Sequence, residues 1–288
     1  MSFAKQTKQA LCALENKNRC CDLSELYGML RFGGTFSSRE IRLQTKCAST
    51  AALARTLLQK HFGITDGRTC GGIVLYGQAA ALLFGAYYAA GADSVLTIEK
   101  IVQCEHCTGA FLRGVFLAVG NLSDPGSAYH LDLCMKNEQT AHALQSFLQK
   151  LSMPPKYTVR NREPLLYYKG SEAIEDFLVT VGARRAAFAV MDMKIRKDIR
   201  NNTNRVINLE VANLSKSVEN GNRQLQAIAK LQQDGRLARL PTALQQTALL
   251  RLTHPEATLQ MLAQLHDPPL TKSGLNHRLQ RLLQLAEQ

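Results

Sequence analysis

The chain carries 35 Lys and Arg against 23 Asp and Glu over 288 residues, a net charge of +12 with a pI near 9.4. That length allows one large domain and a smaller one, and the basic excess favours a polyanionic partner, nucleic acid before membrane. Residues 1–11 hold no uninterrupted apolar core and no cleavage site, so no signal peptide is expected. The eight cysteines (12, 20, 21, 47, 70, 104, 107 and 134) are then expected as reduced, often buried thiols in a cytoplasmic protein.

Taken in chain order, residues 3–19 read as an amphipathic lead-in, helix or strand then helix. Residues 20–31 predict a helix, capped by Asp22 or Ser24 and ended by Gly33 and Gly34 as residues that tolerate left-handed backbone. A β-like run at 41–47 and a helix around 50–62 follow. The stretch 73–92 is the one membrane-like run. Its Gly and Ala content, Gln78 and the adjacent Asp93 favour a strand at 72–76 and a buried helix at 78–90 instead. Cys104-Glu-His-Cys107 has metal-ligand spacing, but a structural zinc site needs four ligands and no second CxxC exists. It is read as the start of a helix over 105–119, with no metal and no cofactor expected. Residues 121–128 form a turn-rich loop, 129–135 a β-like run and 137–151 a helix. Pro154-Pro155 breaks the chain before a hairpin, 157–160 and 165–169, with 161–164 at its tip. Ser171–Val181 reads as a helix whose start, with Ser171, Glu172 and Glu175, is like a capping box.

Two of these stretches repeat. Leu26-Tyr-Gly-Met-Leu-Arg-Phe-Gly-Gly34 and Leu112-Arg-Gly-Val-Phe-Leu-Ala-Val-Gly120 share the layout Leu, one residue, Gly, five mostly apolar residues, Gly, at a spacing of 86 residues. Each is followed by a turn, a β-like run and a helix, so one pseudo-twofold domain is expected. The pair resembles the motif helices of LAGLIDADG homing endonucleases, which pack at the centre of a saddle-shaped αββαββα pair over DNA. Gly28, Gly34, Gly114 and Gly120 would let the two helix backbones approach closely. In active members the eighth motif position is an acid that binds the catalytic metal. Here it is Gly33 in one copy and Val119 in the other, and neither side chain can ligate Mg²⁺. The resemblance implies the fold and argues against the nuclease.

The charge is unevenly placed. Residues 184–288 hold 16 Lys and Arg against 8 Asp and Glu, net +8, whereas residues 1–183 are net +4. Gly182-Ala-Arg-Arg-Ala186 marks a junction, after which the β signal disappears. Residues 188–233 read as helical and rich in asparagine, and Arg200, Asn204, Arg205, Asn208 and Lys216 could follow a phosphate backbone. The other reading is a solvated linker helix. Three compact helices close the chain: about 240–252, 256–266, and one starting at Thr271 that buries Leu275, Leu279, Leu282 and Ala286. The opposite face of the last one carries Lys272, Ser273, Asn276, His277, Gln280 and Arg281, with Arg278 beside them. A short helix, the stiff turn Asp267-Pro-Pro269 and a second helix with amides and cations near its start make a helix-turn-helix layout. Asn and Gln suit adenine, Arg and Lys guanine.

The combination is similar to the WhiA regulators of Gram-positive bacteria. The matching stretches are Leu30–Gly34, Arg113–Leu117 and Tyr129–Leu131 in the first domain, then Asn204-Arg-Val-Ile-Asn208, Ala212–Lys216 and Pro268-Pro-Leu-Thr-Lys-Ser-Gly-Leu-Asn-His-Arg-Leu279. The fold expected is α+β: a pseudo-twofold LAGLIDADG-like αββαββα repeat domain at 1–183 (repeats about 1–95 and 96–183), a helical linker at 184–235 and an all-α helix-turn-helix domain at 236–288. The resemblance implies a sequence-specific transcriptional regulator linked to cell division, chromosome segregation or sporulation. The partner expected is double-stranded promoter DNA in the nucleoid, with another transcription factor or RNA polymerase as a protein partner and no membrane. The competing readings are a working endonuclease, for which Asp124 and Glu40 are the nearest acids, and a protein- or ligand-sensing scaffold with non-specific DNA binding.

Overall fold

The computed structural model describes residues 1–65, 67–69, 71–88 and 98–288; Cys70, Asp93 and the end of the helix expected at 78–90 lie outside the described residues. The chain divides into two units, Met1–Lys197 and Asp198–Gln288.

In the first unit, α1 (Phe3–Cys12) precedes two repeats. The first comprises α2 (Arg19–Phe32), β1 (Glu40–Gln44), α3 (Ala48–Phe62), β2 (Arg68–Thr69), β3 (Gly72–Tyr76) and α4 (Gly77–Tyr87). The second comprises α5 (Cys107–Val119), β4 (Gly120–Leu122), β5 (Leu131–Cys134), α6 (Glu138–Lys150), β6 (Lys156–Arg160), β7 (Glu163–Tyr168) and α7 (Ser171–Val181). The second repeat is therefore αββαββα element by element. In the first, an isolated bridge between Phe36 and Ile41 stands where β4 stands in the second. The sheets are antiparallel with orders β1-β3-β2 and β4-β5-β7-β6, so the strands that correspond between repeats keep the same order.

The two motif helices α2 and α5 form the centre. Ten of the fourteen residues of α2 are buried, and Phe111, Leu112, Val115, Phe116 and Leu117 of α5 are wholly enclosed. A helix covered on every side has no amphipathic stripe, which is why the repeat, rather than periodicity, reveals it. Strands supply the floor in alternation: Leu131 and Leu133 of β5 point into the core while Asp132 and Cys134 remain half-buried.

Several local expectations are corrected. Asp22 and Ser24 do not cap α2, because the helix begins earlier, at Arg19 after Asn18; both are buried, and Ser24 Oγ donates to the Ile101 and Cys20 carbonyls. Gly33 does end α2, but in ordinary right-handed backbone (φ −78°). Space is the reason for glycine there, since a Cβ would lie 2.2 Å from Leu43 Cδ1 and 2.6 Å from the Met29 carbonyl oxygen. Part of the 121–128 loop is strand β4. The hairpin tip shrinks to Asn161 and Arg162, both with positive φ (52° and 66°), a two-residue turn whose twist matches that of its strands. At α7, Ser171 makes no capping bond; Glu172 instead pairs with Lys194 at 2.8 Å. Among the described residues, no helix is long and apolar enough to cross a membrane.

The second unit takes most of α8 (Arg184–Gln233), then α9 (Thr242–Thr253), α10 (Leu259–Gln264) and α11 (Lys272–Glu287). Its core joins Ile228 and Leu231 of α8 to Ala248, Leu262, Ala263, Leu275, Leu279, Leu282 and Ala286. Lys230 Nζ and Arg236 Nη1 donate to the carbonyls of Ala286 and Leu285, placing cations where a helix C-terminus favours them. His266 is buried beside Thr247. The Thr247 hydroxyl proton goes to the Ala243 carbonyl (2.9 Å), so its lone pairs face the His266 Nε2–H at 3.5 Å. Burial, with a smaller contribution from Arg278, pushes His266 below its ordinary pKa of 6.5. A depressed histidine binds its proton more weakly in the folded than in the unfolded chain, so stability is complete above pH 6.5 and declines as pH falls below it. Far-UV circular dichroism melts should therefore show the second unit less stable at pH 5.5 than at pH 7.5. A His266→Gln chain should lose most of that difference; if it keeps it all, another group is responsible.

Candidate nucleic-acid interface

α10 is capped by Thr258, whose Oγ1 accepts from Met261 N at 3.3 Å, and α11 by Thr271, whose Oγ1 accepts from Gly274 N at 3.1 Å. Thr258 fixes where α10 begins, and Thr271 closes the turn between α10 and α11. Because Leu275, Leu279, Leu282 and Ala286 are buried, the other side of α11 faces solvent. Lys272, Ser273, Asn276, His277, Gln280 and Arg281 are all exposed there. At 100° per residue the first five share an arc of about 140°, and Arg281 extends it to about 180°. Arg278 stands apart: it is half-buried, and its Nη1 reaches toward the Ala243 carbonyl at 3.5 Å. It sits on the flank of the apolar seam, so it braces α9 against α11.

On α8, Arg200, Asn204, Arg205, Asn208 and Lys216 are exposed. They fall within an arc of about 160° along roughly 24 Å of helix. Among the described residues, Arg200, Arg205 and Lys216 form no salt bridge.

At the C-terminal end of the motif helices lies a cleft of about 630 Å³ that includes Val119, Gln44, Asn121, Lys5, Lys8 and Lys46. None of its described lining residues is acidic. Burial pushes the Lys8 ammonium down to about 8, against the opposing pull of Cys47 and Cys12; its Nζ donates to the Leu117 carbonyl at 3.0 Å. Glu40 and Asp124 are occupied elsewhere: Glu40 pairs with Arg42 at 2.7 Å, and Asp124 Oδ1 accepts from Gly126 N in a turn. A Mg²⁺ ion wants carboxylate oxygens, and this cleft presents ammonium groups.

The expectation that Cys104 and Cys107 lack further ligands is corrected. Cys20 and Cys21, from the first turn of α2, stand beside them, and the four sulfurs lie within 4.8 Å of one another. Burial resists ionisation of Cys104, but hydrogen bonds from Cys107 and Cys21, the His106 backbone and Cys20 bring it down to about 6; burial, with Cys104 and Cys107, pushes Cys20 and Cys21 up. A signal existed in the sequence. Cys21 and Cys107 are 86 residues apart, the spacing of the repeat.

A pseudo-twofold αββαββα domain with Gly33 and Val119 at the motif's acid positions, joined to a helix-turn-helix unit, defines a LAGLIDADG-like protein. Comparison with known families agrees with this architecture. The WhiA LAGLIDADG-like domain matches residues 108–200, and the WhiA C-terminal HTH domain matches residues 203–286. A relative from Carboxydothermus hydrogenoformans is 33% identical, covering 100% of this chain and 97% of its own; one from Heliobacterium modesticaldum is 32% identical, at 100% and 96%. Both are described as "Probable cell division protein WhiA". The crystal structure of full-length WhiA from Thermotoga maritima superposes with a TM-score of 0.58 at 22% identity, covering 100% of this chain and 98% of that one, and supports the fold. The chain belongs to the WhiA family.

Proposed function

We propose that the chain is a sequence-specific DNA-binding transcriptional regulator, without nuclease activity, acting on genes of cell division, chromosome segregation or sporulation. The observation that carries this reading is the exposed arc of Lys272, Ser273, Asn276, His277, Gln280 and Arg281 on a helix whose other side is sealed in the core. In this reading residues 236–288 read bases in promoter DNA, Arg200, Asn204, Arg205, Asn208 and Lys216 on the 184–235 helical linker follow phosphates, and residues 1–183 form the scaffold for another transcription factor or RNA polymerase. The chain then works at the nucleoid. The names of its relatives support the link to cell division.

Sheared genomic DNA from the same organism, captured by the purified chain near physiological salt and sequenced, should yield a short recurring motif upstream of a few genes. Uniform recovery that vanishes with salt would defeat the sequence-specific reading, because phosphate contacts alone are salt-labile and blind to sequence. Asn276→Ala should cost about 1–3 kcal/mol on the preferred site and relax specificity there. Lys216→Ala should weaken all sequences alike and reduce the salt slope by about 1. Supercoiled plasmid incubated with the chain and Mg²⁺ should stay intact; metal-dependent nicking would restore the endonuclease reading.

A further inference from the structure

Four thiols in one small volume need an explanation. Cys104 Sγ stands 3.6 Å from Cys20, 3.5 Å from Cys21 and 3.5 Å from Cys107, and Cys21 stands 3.9 Å from Cys107. These separations are far from the S–S bond of about 2.05 Å. They match the edges of a tetrahedron: with Zn–S bonds of about 2.3 Å, the sulfurs stand about 3.8 Å apart. Thiol–thiol hydrogen bonds are too weak to gather four sulfurs on their own. No other described cysteines form a group of three or more; Cys12 lies near the Thr50 hydroxyl and Cys134 donates to Glu163.

The surroundings suit the charge that such a site would carry. Cys20 and Cys21 lie in the first turn of α2, and Cys107 is the first residue of α5. Neither helix start has a side-chain cap, so two positive helix ends face the sulfurs and would stabilise a dianionic metal–tetrathiolate. Asn18, at the cap position of α2, turns its Nδ2 to Cys104 Sγ at 3.8 Å. The Cys104–Cys107 turn is tightened by a bond from Cys107 N to the Cys104 carbonyl (3.0 Å), which aims both sulfurs the same way. Each repeat supplies two ligands. Cys21 and Cys107 are equivalent under the 86-residue repeat, while Cys20 and Cys104 fall where the other copy has His106 and Asn18.

We propose that Cys20, Cys21, Cys104 and Cys107 bind one structural Zn²⁺, which pins the first turns of the two motif helices together. Thiolate softness and tetrahedral closure favour zinc over oxygen-seeking cations, and four protein ligands leave no open position for catalysis. The site joins the two repeats where the helix pair begins, at the opposite end of α2 and α5 from Gly33 and Val119.

The full chain, purified in reducing buffer without chelator, should contain one zinc per chain by elemental analysis. Exchange with Co²⁺ should give the visible bands of a tetrahedral site with strong sulfur-to-cobalt charge transfer. A Cys104→Ser/Cys107→Ser chain should lose the metal and unfold its first unit at lower urea. A Cys12→Ser/Cys134→Ser chain should keep the metal. The wild-type metal content and cobalt spectrum decide the matter even if the first double variant does not fold. Absence of metal, iron in place of zinc, a disulfide among these four residues in the purified chain, or zinc retained after Cys104→Ser/Cys107→Ser would each overturn the proposal.

Discussion

Gly114→Ala should destabilise the first unit by about 3 kcal/mol or more, whereas Gly85→Ala should leave it unchanged or improve it. The two substitutions add the same methyl group to a helix, and helix propensity alone would favour each by about 1 kcal/mol. Space separates them. A Cβ on Gly85 meets nothing within 4 Å. On Gly114 it would lie 2.1 Å from the Glu25 carbonyl oxygen and 3.1 Å from Met29 N, backbone atoms of α2 that cannot rotate away. Gly28 is the reciprocal contact, 2.5 Å from the Phe111 carbonyl oxygen. Relief would require the helices to part, loosening Leu26, Met29, Leu30, Phe111, Val115 and Phe116 together, all of them at the bottom of the core. The measurement is unusually clean, because the chain has no Trp and its eight Tyr all lie in the first unit. Urea titration followed by tyrosine fluorescence therefore reports that unit alone. A Gly114→Ala midpoint within error of wild type would mean that the motif helices do not meet through these glycines.

The glycine pair shows what could be read from residues alone. A repeat that aligns Gly28 with Gly114 and Leu26 with Leu112 carries information about two places at once, so the helix pair, the sheets beneath it and the helix ending at Val181 were all visible. The last three helices were visible for a different reason: one side of α11 faces water, and its leucines keep helical spacing. What escaped was whatever breaks the symmetry. Half of the sulfur cluster, Cys20 and Cys104, has no counterpart in the other repeat, and a search for paired CxxC motifs passes over adjacent cysteines on a helix. In the sequence Arg278 stands beside the DNA-facing residues of the last helix, and its half-buried place at the border of the apolar seam is not legible there. From sequence Gly33 reads as a residue for left-handed backbone, because a glycine needed for φ looks the same there as one needed for room.

The most deeply hidden feature is also asymmetric, and removing it should have the other large effect. Arg113→Ala should cost the first unit about 3–5 kcal/mol, read by the same tyrosine titration. Arg113 of α5 grips Glu25 of α2 through both carboxylate oxygens, Nε to Oε1 at 2.8 Å and Nη2 to Oε2 at 2.9 Å, with only 8% and 1% of the two residues exposed. Asn16 completes the group, accepting from Arg113 at 2.5 Å and donating to Glu25 and Asp22 at 2.7 and 3.0 Å. Asp22 in turn holds Lys60 and His61, and these partners, with Asn16, outweigh burial and keep its carboxyl below the ordinary range. In the repeat, Arg113 aligns with Tyr27 and Glu25 with Phe111, so nothing in either copy announces the pair. The cost of losing Arg113 comes chiefly from leaving Glu25 as an unpaired buried carboxylate, since the attraction within a buried pair is largely offset by desolvation. Taking both partners away should therefore hurt less than taking one. A Glu25→Leu/Arg113→Met chain, which fills the space with apolar atoms, should recover most of the stability lost in Arg113→Ala. If the double variant falls as far as the single one, the pair supplies net binding between the motif helices, and it belongs with the glycine contact as a cause of their association.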